Sequence, residues 1–140
     1  MITSGVGARS DVELRLPADG AYAAVLRTLT AGLAARLDFT MDDIEDLRIA
    51  VSETTAMVLD QADPGADLLC RFRLSPGELT LECSTTAAAP AHPDYDSFGW
   101  QVLTTLTTDA SVDVAPGGYA VRITLRTSLD LSDDVTGVGL

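Results

Sequence analysis

Glu53 is the side chain in this sequence best placed to do chemistry. It lies in TMDDIEDLRIAVSETTAMVLD, from Thr40 to Asp60, where Ile44, Leu47, Val51, Thr55 and Val58 recur at spacings of three and four. That recurrence predicts an amphipathic helix with one buried stripe. At about 100° per residue Glu53 falls roughly opposite the stripe, with Met57 one turn further along. A carboxylate so placed can act as a base or be an ordinary ion-paired surface acid, and the spacing leaves both open. An apolar methionine beside an acid on the far face is unusual for a simple surface helix.

The remaining reactive residue types are few. There is one histidine, His92, between Pro90 and Pro93, and it reads as a solvated loop residue. One His and two Cys, with no C-x-x-C, cannot build the usual structural zinc site, so no metal ligands are assigned. No G-x-S-x-G nucleophile elbow is present. All nine basic residues are arginines. The absence of lysine excludes a Walker-type P-loop, the eukaryotic-type kinase fold and Schiff-base catalysis.

The acids outnumber the arginines 21 to 9, a net charge of −12. Such a chain is unsuited to direct nucleic-acid binding, which needs cations to displace counterions. It favours a basic protein partner. An apolar fraction of 46% with 21% charged residues describes one globular domain with a real core. No window approaches the roughly 18 apolar residues of a membrane span, and the N-terminus lacks a signal-peptide core, so the expectation is a cytoplasmic protein without a membrane anchor.

The elements that must position Glu53 follow from periodicity. Residues 1–10 read as a flexible leader, 11–128 as a single domain and 129–140 as a flexible acidic tail. Val12, Leu14 and Leu16 alternate with polar residues as a strand ended by Pro17. Asp19 is a candidate N-cap for a helix carrying Tyr22, Val25, Leu26, Leu29, Leu33 and Leu37. The Thr40–Asp60 helix follows, with Thr40 as N-cap and Asp43 completing a capping-box-like arrangement. Beyond Asp63-Pro64-Gly65 the period becomes two. A hairpin turning at Pro76-Gly77 sets Leu74 opposite Leu79, Phe72 opposite Leu81 and Cys70 opposite Cys83. The two cysteines are expected as free core thiols, since cytosolic reduction and cross-strand strain oppose a disulfide.

Thr85 to Ser97 reads as a loop long enough to be functional or disordered. A short helix then carries Phe98, Trp100, Val102, Leu103 and Leu106. Strands near Val112–Val114 and over Tyr119–Thr127 complete the order β-α-α-β-β-α-β-β. The expected fold is α+β: a two-layer sandwich whose sheet is mixed but mostly antiparallel, with helices on one face.

This order, with IEDLRIAVSET and SFGWQVLTTL, resembles the histidine-kinase-type ATPase (GHKL) fold, in the branch of small bacterial anti-sigma factors that are also serine-protein kinases. The resemblance runs from about Val12 to Thr127. It implies a homodimer that binds a sigma factor, is released by an anti-anti-sigma protein, and in active members uses ATP-Mg to phosphorylate a serine of that antagonist. It also implies a helix bearing a glutamate as base and, four residues on, an asparagine whose oxygen ligates Mg²⁺. Glu53 matches the first, and Met57 stands at the second. A thioether is a poor ligand for a cation that demands oxygen. The family's adenine-reading aspartate and its glycines should follow Leu79–Cys83, where this chain has Ser84-Thr85-Thr86. Of the glycine pair before the last helix only Gly99 remains, with Ser97 at the other position.

The remnant nucleotide pocket is therefore assigned to Glu53, Met57, Ser84 and Gly99, with Glu53 a vestigial base. Met57 and Trp100 are read as packing residues that close it. The expected function is an anti-sigma factor working by direct sequestration, with nucleotide binding and kinase activity weak or lost and no cofactor required. The alternative is an active ATP-dependent serine kinase, with ATP and Mg²⁺ as cofactors.

Overall fold

The structure, a computed structural model, describes residues 10–128. The expected leader, apart from Ser10, and the expected tail lie outside the described residues. The elements in order are β1 (Val12–Pro17), a 3₁₀ turn (Gly20–Tyr22), α1 (Ala23–Arg36), α2 (Met41–Gln61), β2 (Asp67–Ser75), β3 (Glu78–Thr86), α3 (Phe98–Leu106), β4 (Asp109–Ala115) and β5 (Gly118–Arg126). The strands form one sheet in the order β1-β2-β3-β5-β4. All four pairings are antiparallel, so the sheet expected to be mixed contains no parallel pair.

The β2–β3 hairpin has the register that the alternation specifies: Leu74 faces Leu79, Phe72 faces Leu81 and Cys70 faces Cys83. Gly77 at φ +73° supplies the left-handed turn residue. Both cysteines are buried and free. The hydrogen bond with Cys70, together with complete burial, holds the Cys83 thiol well above the usual thiol range.

Alternation along β3 and β5 sorts side chains between two faces. Leu79, Leu81, Cys83, Val121, Ile123 and Leu125 are buried under the helices. The other face is open and carries every ion pair found among the described residues, including Arg71 and Arg122 on Glu82. Exposed pairs of this kind contribute between nothing and about 1 kcal/mol each. They engage four of the nine arginines: Arg15, Arg71, Arg122 and Arg126.

Helix α2 lies against β3 and β5 and is flanked by α1 and α3. Its buried residues include Leu47, Ala50, Val51, Thr54, Thr55 and Val58, a stripe broader than Leu47, Val51, Thr55 and Val58 alone, while Ile44 is only half-buried. The helix begins as its sequence suggests, with the Thr40 hydroxyl accepting from the Asp43 N–H at 3.0 Å. It ends where Ala62 turns extended, two residues before Pro64.

The carboxylate of Asp43 departs from the capping-box expectation. It accepts hydrogen bonds from the Thr127 hydroxyl (3.0 Å), the Ser128 N–H (2.7 Å) and the Ser128 hydroxyl (2.9 Å), tying the end of β5 to the start of α2. Burial pushes its pKa up, but these bonds and Thr40 outweigh burial and leave it below the ordinary carboxylate value.

Asp19 caps the 3₁₀ turn rather than α1 itself, its carboxylate accepting from the Ala21 N–H at 2.9 Å. The register of α1 buries Leu26, Thr30 and Ala34 and leaves Tyr22 and Val25 exposed, although both belong to the apolar pattern. The pattern marks a stripe, and only packing against α2 selects which edge of it is covered.

Candidate functional site

Glu53 projects half-buried from α2 toward the first turn of α3. A Cβ built at Gly99 would lie 2.7 Å from Glu53 Oε1. Real Cβ atoms do not approach oxygen so closely, so only glycine leaves the carboxylate this position. Helix α3 starts at Ser97, whose hydroxyl accepts from the Trp100 N–H at 3.1 Å. The residue standing where the family has a second glycine is therefore the N-cap of the helix. Glu53 sits against a helix N-terminus, where the peptide dipoles favour negative charge.

Met57, one turn along, is half-buried and packs against the hydrophobic core. Trp100 packs there too, in an edge-to-face contact with Tyr95 at 5.0 Å between centroids. These placements match a pair that fills space. Among the described residues no three His, Cys, Asp or Glu side chains converge as metal ligands. A Mg²⁺ ion needs several oxygen ligands, and a carboxylate followed by a thioether does not fit it.

Ser84 is not brought to this site. It occupies a half-buried position of β3 in register with Leu69 and Ala120, on the open face with Thr80 and Glu82. The helix-facing position is Thr85, whose hydroxyl donates to the Asp67 carbonyl at 2.8 Å. Alternation carried one residue past Cys83 would have separated the two, but the expected end of the strand at Cys83 hid it. The strand continues to Thr86, which shortens the loop to residues 87–97.

That loop is held by the end of α2. Asp63 Oδ1 accepts from the Ala88 N–H and Gln61 Oε1 from the Ala91 N–H, each at 2.8 Å. His92 is exposed within it. The sequence marks Asp63 only as part of a turn, because a side chain bonding to a distant backbone leaves no periodic signal.

No family model matches the chain. Among curated proteins it is 41% identical over 70 residues to the serine-protein kinase RsbW of Bacillus cereus (strain B4264), covering 50% of this chain and 38% of that protein. It is also 41% identical over 64 residues to RsbW of Halalkalibacterium halodurans, covering 45% of this chain and 40% of that protein. The matched stretch thus spans about two fifths of the length of these relatives.

Among solved structures, the RsbU and RsbW domains of Rv1364c from Mycobacterium tuberculosis superpose with a TM-score of 0.63 at 16% identity, over 83% of this chain and 31% of that one. The histidine kinase domain of the Erythrobacter litoralis EL346 blue-light activated histidine kinase gives 0.54 at 15% identity, over 80% of this chain and 62% of that one. The mycobacterial sensor histidine kinase MprB gives 0.52 at 14% identity, over 81% and 98%. The chain therefore has the histidine-kinase-like ATPase fold and, over half its length, is homologous to the RsbW-type serine-protein kinases.

Proposed function

We propose that this chain is an anti-sigma factor that works by sequestration: it binds a sigma factor directly, as a cytoplasmic homodimer, and gives it up when an anti-anti-sigma protein binds instead. In this reading nucleotide binding and phosphate transfer are weak or lost. The observation that carries it is Met57, a core-packed thioether one turn from Glu53 where the related kinases need an oxygen ligand for Mg²⁺. The placement of Ser84 on the far side of the sheet supports the same reading, since the helix-facing residue at that strand end is Thr85, which carries no carboxylate and donates its hydroxyl proton to the Asp67 carbonyl. The acidity of the chain suits a basic partner.

The second reading, an active serine kinase, draws on the name of the relatives and on the retained Glu53. Titration with ATP-Mg separates the two. Sequestration without catalysis expects no saturable binding at micromolar nucleotide, and no phosphate transfer to an antagonist. Micromolar, Mg²⁺-dependent binding lost in Glu53→Gln would establish the kinase instead. Co-purification of a sigma factor in the absence of nucleotide is the positive test, and recovery of none would count against the proposal.

A further inference from the structure

Two aromatic rings stand out from the surface at the start of α3. Phe98 is 79% exposed and Tyr95, three residues earlier, 54%. They belong to the run Asp94-Tyr95-Asp96-Ser97-Phe98, in which two acids flank the first ring and Ser97 precedes the second. Exposed large apolar side chains are unremarkable singly, but two so close together are not accounted for by the fold. Phe98 contributes nothing to the core, and Ser97 alone caps the helix, so α3 does not require an aromatic residue at this position. Aromatic residues are enriched in protein interfaces and depleted elsewhere on surfaces.

The charge carried by the segment that bears the rings is of one sign. No arginine occurs between Arg73 and Arg122, a stretch that holds six acids. Among the described residues every ion pair lies on the open sheet face, and none involves Asp94 or Asp96. The Asp94 carboxylate accepts only a local bond, from the Asp96 N–H at 3.0 Å, which shapes the turn without neutralising it. Asp60 stands at the same end of the molecule, close enough with Tyr95 to raise the pKa of Tyr119, after burial has done so.

We infer that Tyr95, Phe98, Asp94 and Asp96 form a docking surface for an arginine- or lysine-bearing amphipathic segment of a partner protein. The cation would lie over a ring face and between the carboxylates, while the apolar side of the segment covers Phe98. Charge complementarity selects this occupant over a second copy of the chain, whose own surface is strongly acidic. The inference rests on the chemistry of this surface, whichever protein supplies the segment.

Trp100 is the only tryptophan and touches Tyr95, so its emission reports the surface directly. The full chain is titrated with a synthetic amphipathic peptide carrying arginines, and with the same peptide carrying glutamates in their place. The expected result is a saturable change in Trp100 emission with the arginine peptide, weakened by salt and at least about tenfold weaker with the glutamate peptide. Phe98→Ser, at an exposed position, and the pair Asp94→Asn with Asp96→Asn should each weaken it about tenfold. Equal affinity for both peptides, no saturable change, or variants that bind like the parent would overturn the inference. So would sedimentation that shows self-association abolished by Phe98→Ser, since the occupant would then be a second copy.

Discussion

Glu53 Oε1 stands 2.7 Å from the point where a Cβ at Gly99 would fall, so residues 46 positions apart in sequence share one small space. The pairing brings a carboxylate of α2 against the first turn of α3.

Gly99→Ala tests that contact. The new methyl must push the carboxylate aside, which is inexpensive because Oε1 is the end of a flexible side chain. Stability should therefore fall by no more than about 1 kcal/mol, offset in part by the better helix propensity of alanine. In a Glu53→Ala background the same change should stabilise. A double-mutant cycle in urea should return a coupling of about 0.5–1 kcal/mol, and a coupling near zero would mean the two residues do not meet in solution.

Thr54 offers a stabilising change. Its hydroxyl is buried without a hydrogen-bond partner among the described residues, whereas the Thr55 and Thr30 hydroxyls each donate to a carbonyl one turn back at 2.7 Å. An unsatisfied buried hydroxyl costs roughly 1–3 kcal/mol. Thr54→Val keeps the shape and removes the polar atom, so the urea midpoint should rise, by about 1 kcal/mol of stability. A lower midpoint would indicate that the hydroxyl has a partner.

Asp43 predicts an acid-sensitive lock. Its pKa is depressed in the folded state, so its contribution is present above the unfolded value of 3.8 and is lost as pH falls through the folded value. Asp43→Asn should cost about 1.5–3 kcal/mol at pH 7, the range for hydrogen bonds to a charged group. That difference between the two proteins should shrink as pH falls below 4. A difference independent of pH from 7 to 2.5 would show that the charge is not what the bonds depend on.

Much of this architecture could be read from local pattern. The β2–β3 register follows from alternation on either side of Pro76-Gly77, because a one-residue slip would expose every apolar side chain. Thr40 and the Leu47–Val58 stripe likewise announce α2, since capping and burial within a helix depend on residues three or four apart. The departures of Met57 and Ser84 from the family pattern are also matters of residue type.

Tertiary structure decided what happens across the chain. It placed β5 between β3 and β4, converted the Asp43 carboxylate from a cap into an anchor for Ser128, and assigned Ser84 to the open face and Thr85 to the covered one. It also set Glu53 against Gly99 and left Phe98 uncovered. Periodicity says which side of an element is apolar, but which neighbour covers it is settled only when the layers pack. Pairings between distant residues leave no periodic trace in one sequence, and so the closeness of Glu53 to Gly99 and the separation of Ser84 from both were decided only by packing.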